Sequence, residues 1–518
     1  STQIACAQAP LAADSFDWRD AVIYWAFVDR FVNGNTANDK PIVDNRLQTA
    51  TNWQGGDWAG LTAKVTSGYF ASLGVNAIWI SVPVDNAESV GQGTEGDTNW
   101  YTGYHGYWPR DLTITESRFG SDDDLKNLIA TAHAAGIKII VDYAMNHVHQ
   151  DSPIWQAHET DGWFNPLMQN GETCVCNGIA NDACNYDGSL GKSCWFADYL
   201  PDWNFLNADA RAYVVDNAVS WITNYGFDGF RLDAIKQIEP IWLSDFRTAL
   251  LSKVEATTKQ HVYLVGETFS GDRDLIKSFI SPCTMLDGQF DFPLRAQLDE
   301  NVLMRQGVMG DLVSFMDSNT SYYGTSVMST FLGNHDVPRS IHFAEDTPEW
   351  SDVWADGKDR NVSNQPVQPL SQNPYDRMAT AFAILMTNQG APMIYYGDEV
   401  GLAGAGDPDN RRFMPAPATY SAVQQSLLAK MQKLGAIRAA HTALRRGNRT
   451  TLASDDDSWV YRMADGGDTV YVAVNRSDVA KTVGGLPAGA LTDQMTGAAL
   501  TGPSVTVPAR RALVMTAP

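Results

Sequence analysis

The sequence predicts an α/β fold: a (β/α)8 TIM barrel, a small domain inserted after the third strand, and a C-terminal antiparallel β-sandwich domain. From about residue 20 to 400, short apolar runs alternate with helical patterns, which is typical of βα units and a parallel sheet. A long polar stretch interrupts this alternation, and a period-2 pattern replaces it near the end. These changes predict barrel segments 1–146 and 205–434, an inserted domain 147–204 and a β domain 435–518.

The barrel strands are predicted from runs that are apolar almost throughout, because strands covered on both faces show no alternation. The runs are Ala21–Phe31, Ala77–Ile80, Ile137–Tyr143, Gly229–Asp233, Val262–Glu267, Met285–Phe290, Met328–Leu332 and Met393–Tyr396. Between them, Ser121 predicts the start of a helix that reaches Ala135 and stops at Gly136. A second helical repeat runs up to Gly226.

The inserted stretch is too long for an ordinary βα loop and contains four of the six cysteines. These four are Cys174, Cys176, Cys184 and Cys194, whereas Cys6 and Cys283 stand apart. Their spacing matches no repeated zinc pattern, so disulfides are favoured over a zinc site. The pairing stays open, because six cysteines allow 15 connectivities. Disulfides indicate an oxidising compartment and therefore a secreted protein, extracellular or periplasmic.

The last part of the chain predicts antiparallel strands, because apolar and polar residues alternate between Gly, Asp and Pro turns. The alternating runs are Trp459–Met463, Thr469–Asn475, Lys481–Val483 and Ser504–Val514.

The composition and the net charge of the chain disfavour some classes of binding partner. Sixty acidic against 37 basic side chains give a net charge of −23, which disfavours nucleic acid and anionic membrane surfaces. No apolar run approaches the roughly 18–20 residues of a membrane-spanning helix. The chain starts at Ser1 without an initiator Met or a targeting segment, so we expect that any such segment was removed or was never cloned. We expect a monomer that acts on an uncharged substrate.

Polar residues at the predicted strand ends indicate an active site, because barrel enzymes place it at the C-terminal ends of the strands. The fourth strand ends in Arg231-Leu232-Asp233, the fifth in Gly266-Glu267 and the seventh in Asn334-His335-Asp336. We therefore expect the three carboxylates to converge on one mouth of the barrel.

Elementary chemistry assigns these acids different roles. Arg231 and Asp233 are two residues apart on a strand and face the same side, and a guanidinium favours the ionised carboxylate, so Asp233 is the expected nucleophile. Glu267 follows an apolar strand near other acids, where burial and like charge favour the protonated form, so it is the expected proton donor. Such a pair suits retaining glycoside hydrolysis. Asp336 is then free to hold sugar hydroxyls.

Four segments resemble the signature regions of the α-amylase family, glycoside hydrolase family 13, as found in secreted α-amylases and in the catalytic part of cyclodextrin glycosyltransferases. The segments are Val141–His147, Gly229–Lys236, Gly266–Phe269 and Phe331–Asp336. The resemblance implies the same three catalytic roles, with Arg231 orienting the nucleophile. It further implies substrate contacts by His147, His335, Tyr107 (a platform beneath the sugar), Lys236 (acceptor side), Asp407 and Arg411 (donor side).

The resemblance also implies calcium, which prefers clusters of oxygen ligands. One implied site uses Asn146, Asp202 and the main-chain oxygen of Gln237. The family usually has His at the position of Gln237. A further ligand is expected from the insert, but the sequence does not identify it. A second site resembles the N-terminal calcium loop of cyclodextrin glycosyltransferases, with a plain Asn/Gly turn as the alternative. Its residues are Asn33, Asn35, Asn38, Asp39, Gly55 and Asp57.

Within the family, the sequence favours an endo-acting α-amylase that cleaves starch and maltooligosaccharides by double displacement. From its length we expect none of the extra domains of cyclodextrin glycosyltransferases or neopullulanase-like enzymes. Phe269 resembles a residue that favours a sugar over water as acceptor, which predicts some transglycosylation. The alternatives are a cyclodextrin- or pullulan-degrading or maltooligosaccharide-transferring enzyme, and a catalytically inactive binding homologue, which the presence of all three acids disfavours.

Overall fold

The computed structural model describes residues 16–94, 96–179 and 181–518. They divide into two compact units. The described parts of the first unit are residues 16–17, 26–67 and 77–290, without 95 and 180, and the second comprises 18–25, 68–76 and 291–518.

The barrel strands are β1 Ile23–Ala26, β2 Ala77–Ile80, β3 Lys138–Tyr143, β4 Gly229–Leu232, β5 Tyr263–Gly266, β6 Gly288–Gln289, β7 Ser329–Phe331 and β8 Ala391–Tyr395. In the first unit, parallel pairing runs in the order β6-β5-β4-β3-β2. In the second unit, β1 and β7 both pair with β8 in parallel. Nearly every strand residue is buried, as expected of strands covered on both faces. The predicted (β/α)8 barrel class is confirmed.

The α-helices of four or more residues within the described ranges are Trp58–Thr66, Tyr69–Ser72, Asp122–Ala134, Pro153–His158, Ala208–Tyr225, Pro240–Leu250, Arg273–Ser278, Phe292–Leu298, Met309–Tyr323, Ser340–Phe343, Gln372–Met386, Ala422–Ala440 and Thr442–Arg446. The helix predicted from Ser121 is present, and the Ser121 side chain accepts from the Asp124 N–H. The helix that ends before Gly226 is present too, with Gly226 in the left-handed conformation at φ 86°.

Six of the predicted barrel strands are shorter than their apolar runs, and the difference is largest for the first and the sixth. The first ends at Ala26, and Val28–Arg30 forms a 3-10 turn. The Asp29 carboxylate accepts from the backbone N–H groups of Gln54 and Gly55, which competes with continued strand pairing. The sixth strand keeps only Gly288–Gln289.

The insert has little regular structure beyond helix Pro153–His158 and the hairpin Met168–Gln169/Glu172–Thr173. Two disulfides close it, Cys174–Cys184 and Cys176–Cys194. The preference for disulfides over zinc is confirmed for these four cysteines, whereas Cys6 lies outside the described residues.

The C-terminal strands are β9 Asn448–Ser454, β10 Ser458–Asp465, β11 Asp468–Asn475, β12 Lys481–Val483, β13 Gly489–Asp493, β14 Ala499–Gly502, β15 Val505–Val507 and β16 Arg511–Thr516. They form an antiparallel sheet in the order β9-β10-β11-β16-β13-β14 and a separate pair β12–β15. The two sheets share an apolar core that includes Val460, Leu491 and Val507, which confirms the predicted β-sandwich.

One run and one boundary differ from expectation in this region. The run 504–514 divides into two strands, because Pro508 lacks an N–H donor and Arg510 adopts a φ of 52°. The helix Ala422–Ala440 continues through residues 434 and 435, where we placed the domain boundary, and the sheet begins at Asn448.

Over the described ranges, no helix combines the length and the apolar character needed to cross a membrane.

Candidate active site

In the first unit, the polar residues at the ends of β3, β4 and β5 gather around the guanidinium of Arg231. Register places Arg231 beside Asp142 on one neighbouring strand and Val265 on the other. Arg231 Nη1 donates to Asp142 Oδ1 at 2.9 Å and to Asp233 Oδ1 at 2.7 Å. Arg231 Nη2 donates to Glu267 Oε2 at 2.5 Å. The two acids that we assigned as nucleophile and proton donor therefore share one guanidinium.

Asp142 is a member of this cluster to which the sequence analysis assigned no role. It accepts from the Tyr107 hydroxyl at 2.7 Å and from Trp79 Nε1 at 3.2 Å. Burial raises the pKa of Asp142 to about 6, the nearby Asp233 adds to this effect, and Arg231 opposes it. The available signal was a charged residue inside an otherwise apolar strand, where an unpaired carboxylate would be costly.

The charges of the cluster do not balance when every group is ionised. Three carboxylates surround one guanidinium, and each of the four side chains is at most 13% exposed. Like charges in a buried site disfavour full ionisation, and of these acids Asp142 has a raised pKa, about 6. The role of Glu267 as proton donor stays a prediction. The cluster can supply one carboxylate as nucleophile and one proton.

Tyr107 and His147 lie beside this cluster. The Tyr107 ring stacks on His105 at 5.7 Å between centroids, and Tyr107 is only partly buried. His147 is 2% exposed; its Nε2 lies 2.8 Å from the Tyr107 carbonyl oxygen and its Nδ1 lies 3.2 Å from Asn146 Nδ2. Burial lowers the pKa of His147. Both ring nitrogens thus bond within the protein, so His147 ties Tyr107 to Asn146, and its sugar contact stays a prediction.

Lys236 and Phe269 follow the ends of β4 and β5. The Lys236 ammonium donates to Asp187 of the insert at 2.7 Å, a partner that the sequence analysis did not identify. Phe269 is 37% exposed and lies two residues after Glu267.

In the second unit, the residues after β7 form their own polar group. Arg411 Nη2 lies 3.4 Å from Asp336 Oδ1, and Arg411 Nη1 lies 2.9 Å from Asp407 Oδ1. His335 Nδ1 accepts from Trp25 Nε1 at 3.1 Å, which leaves its Nε2 as a donor, 3.4 Å from Asp336 Oδ2. Asp336 is 36% exposed and can accept from a ligand. The structure therefore joins Asp407, Arg411, His335 and Asp336 as neighbours.

The first implied calcium site contains oxygens suited to a hard cation. Asn146 Oδ1 is buried, and no donor of the described chain reaches it. Asp202 is 2% exposed, and burial raises its pKa well above the usual range. Gln237 is also buried. The carboxylate of Glu239, absent from our predicted set, adds to the shift of Asp202, and its Oε2 has no donor in the described residues. These residues fit a calcium ion.

The second implied site fits less completely. Asn33 Oδ1 and Asn38 Oδ1 are buried with no donor among the described residues, and a cavity of about 130 Å³ borders Asn38, Asp39 and Gly55. However, Lys40 and Arg118 line the same cavity. The remaining predicted ligands already bond locally: Asn35 Oδ1 accepts from Ala37 N, and Asp57 accepts from Gly34 N, Asn35 N and Gly60 N. Asn35 and Asp57 thus hold the shape of the loop.

Comparison with known proteins agrees with this geometry. Residues 25–412 match the family model for the catalytic domain of α-amylase. A cyclomaltodextrin glucanotransferase of Thermoanaerobacterium thermosulfurigenes is 31% identical over 510 residues, which cover 94% of this chain and 64% of that protein. This chain therefore spans less than two thirds of the length of that relative.

Two further proteins are similar over most of their own length. An α-amylase of Niallia circulans is 31% identical over 511 residues, covering 94% of this chain and 87% of that protein. The crystal structure of an Anoxybacillus α-amylase has a TM-score of 0.77 with 25% identity, covering 97% of this chain and 98% of that one. The strand-end acids and these matches agree that the chain belongs to the α-amylase family.

Proposed function

We propose that the protein is a retaining, endo-acting α-1,4-glucan hydrolase that cleaves starch and maltooligosaccharides. The observation that carries this proposal is the contact of one guanidinium, Arg231, with both Asp233 and Glu267 at adjacent strand ends. Retaining glycoside hydrolysis needs two carboxyl groups on one site, one ionised and one carrying a proton. The similarity to α-amylases and cyclomaltodextrin glucanotransferases supports the same substrate class.

In the first step, an Asp233 oxygen forms a bond to the anomeric carbon while the bond from that carbon to the glycosidic oxygen breaks. Glu267 gives its proton to the departing oxygen. Arg231 orients Asp233 through a hydrogen bond to its Oδ1. We assign this proton to Glu267, which must be protonated when the substrate binds.

In the second step, Glu267 accepts a proton from water, and the water oxygen displaces Asp233 from the anomeric carbon. We assign to Asp336 the binding of sugar hydroxyls that favours the oxocarbenium-like geometry, with His335 Nε2 as a further donor. Tyr107 presents a ring face to the sugar, since His105 already covers the other face. Arg411 and Asp407 are assigned to donor-side sugars, and Lys236 to the acceptor side.

Calcium belongs to the proposal as a structural ion. Asn146 and Asp202 would hold it, with the Gln237 carbonyl, and the ion would supply positive charge that compensates the buried carboxylate. Because Asn146 contacts His147, and His147 bonds to Tyr107, these residues would fix the sugar platform. The N-terminal loop is proposed as a second site through Asn33, Asn38 and Asp39.

The decisive experiment compares wild type with Glu267→Gln and Asp233→Asn on starch. We expect each variant to lose at least about a thousandfold in turnover with an unchanged fold by circular dichroism. Proton NMR of the first product should show the α-anomer, because double displacement retains configuration. Full turnover in Glu267→Gln, or a β-anomer as the first product, would contradict the proposal.

A second candidate function, glycosyl transfer to a sugar acceptor, is favoured by one observation. Phe269 exposes an aromatic surface next to Glu267, which can hold a sugar in the place of water. A product profile on starch, cyclodextrin and pullulan separates the possibilities: linear maltooligosaccharides indicate the amylase, ring products or panose the alternatives.

We also propose that the protein is secreted and acts as a monomer. The two disulfides of the insert support secretion, because such bonds persist in oxidising compartments.

A further inference from the structure

Two disulfides close residues 174–194, described without residue 180 and here called the stapled loop. Its four cysteines are buried, and Tyr186, Leu190 and Phe196 pack against them. Backbone hydrogen bonds link Cys176 N to the Trp195 oxygen and Gly178 N to the Cys184 oxygen, both at 2.8 Å. The loop therefore keeps its shape through its own covalent and hydrogen bonds.

The stapled loop contacts the chain that follows β4 at two polar points. Lys236 Nζ donates to Asp187 Oδ1 at 2.7 Å, and Gln237 Nε2 donates to the Tyr186 carbonyl oxygen at 2.7 Å. Lys236 belongs to the 3-10 turn Ile235–Gln237, which begins two residues after Asp233. The loop is thus attached directly beside the catalytic strand end.

An aromatic contact joins the same loop to the end of β3. The Tyr186 ring lies 5.2 Å from Phe196, and Phe196 lies 5.2 Å from His147. His147 in turn bonds to the carbonyl of Tyr107. The stapled loop thus contacts the chain after β4 directly and reaches His147, after β3, through Phe196.

The turn that carries Asp187 has little freedom. Asn185 Oδ1 accepts from Asp187 N at 3.2 Å, and the Asn185 carbonyl accepts from Gly188 N at 2.9 Å. A Cβ on Gly188 would lie 2.4 Å from the Ala183 carbonyl oxygen, so only glycine allows this close approach. The backbone position of Asp187 is therefore set by the loop.

The ion pair is suited to positioning rather than to stability. Asp187 is 74% exposed and Lys236 is 13% exposed, and a pair with so exposed a partner contributes little to folding. A lysine side chain has many rotamers and three donor hydrogens. One fixed acceptor selects a rotamer and leaves two N–H groups for another partner.

We propose that Asp187 is a positioning residue for substrate: it holds the Lys236 ammonium beside Asp233, where the ammonium donates to hydroxyls of the glucan on the acceptor side. This inference rests on the proposed glucan hydrolase function. The stapled loop thereby determines how firmly the acceptor-side sugar is held.

The experiment measures kcat and KM for maltoheptaose with wild type, Asp187→Asn, Asp187→Glu, Lys236→Met and the double variant Asp187→Asn/Lys236→Met. Asp216→Asn is the matched control, because Asp216 pairs with Lys253 at 2.7 Å on an exposed surface. We expect Asp187→Asn to raise KM about fivefold with kcat within about twofold, which corresponds to one weakened charged hydrogen bond. Asp187→Glu should recover part of the loss, and the control should match wild type.

The double variant distinguishes positioning from an unrelated effect, because coupled residues are not additive. We expect its KM to equal that of Lys236→Met. An unchanged KM in Asp187→Asn, or an equal further increase when it is combined with Lys236→Met, would overturn the inference. Calorimetric binding of maltoheptaose to the same set in a Glu267→Gln background gives a second readout. Absence of turnover in wild type would refute the proposed function, whereas the binding constants would still decide the role of Asp187.

Discussion

We expect the free energy of unfolding to fall by about 3 kcal/mol as the pH rises from about 6.5 to about 9.5, through one side chain, His261. His261 Nε2 lies 2.9 Å from Asp287 Oδ1, and its Nδ1 lies 3.1 Å from Glu255 Oε1. Burial by itself lowers the pKa of His261, but the charge of Asp287 and the hydrogen bonds to both acids outweigh it and raise the pKa to about 9. Arg247 contacts the same acids and opposes this rise.

The magnitude follows from linkage. The folded protein binds the proton of His261 more tightly than the unfolded chain, whose histidine has a pKa near 6.5. Each tenfold difference in proton affinity is about 1.4 kcal/mol, so the rise to about 9 corresponds to about 3 kcal/mol. Because the folded pKa is raised, this stability is fully present below pH 6.5 and is lost as the pH rises through about 9.

Two measurements test this reasoning. The ring resonances of labelled histidine, with His261 identified by its absence in His261→Gln, should give a pKa near 9 by NMR. Urea unfolding at several pH values should show the stability advantage of wild type over His261→Gln shrink by about 3 kcal/mol across the same range. A His261 pKa at or below 6.5, or a difference between the two proteins that does not change with pH, would refute the role of the Asp287 and Glu255 contacts.

Three further predictions concern other parts of the molecule. Asp142→Asn removes the charged group to which Arg231 and Tyr107 donate hydrogen bonds. We expect kcat/KM on maltooligosaccharides to fall about tenfold or more. An unchanged kcat/KM would show that Asp142 does not orient Arg231. Asn146→Ala should weaken calcium binding measured by calorimetry and lower the melting temperature in the presence of calcium. A chelator should destabilise wild type more than the variant. Equal calcium affinities of the two proteins would show that Asn146 is not a ligand. Gly435→Ala would place a Cβ 2.0 Å from the Leu73 carbonyl oxygen, so we expect the free energy of unfolding in urea to fall by about 3 kcal/mol. The control Gly310→Ala has open space around its Cβ and should leave the protein equally or more stable. Similar effects of the two substitutions would contradict the packing argument.

Much of the barrel could be predicted from the sequence, because buried parallel strands have a simple local signature. Ala77–Ile80 forms a barrel strand with the predicted bounds, and Ser121 begins its helix as predicted. The extra length of the first predicted strand could not be excluded, since Asp29 bends the chain through N–H groups some 25 residues away in sequence. An apolar run indicates which residues are buried, whereas the end of a strand depends on which backbone N–H and C=O groups have hydrogen-bond partners in a neighbouring strand.

The candidate site was predictable where its residues are close in sequence. Arg231 and Asp233 share a face because they are two apart on a strand, and the structure confirms their contact. Asp142 and Asp187 reach Arg231 and Lys236 from segments roughly 50 to 90 residues away, so spacing could not reveal them.

By itself, the sequence determined the fold class, the strand that carries each proposed catalytic acid, and the preference for disulfides in the insert. Each of these depends on local periodicity, on residue type or on spacing within one segment. Only the tertiary structure decided which cysteines pair, that Arg231 contacts three carboxylates, and that His147 is bonded within the protein. The physical reason is that ion pairs and hydrogen bonds form between strand ends and loops that are far apart in the chain. The distances between these segments are set by the register of the sheet and by the path of the insert.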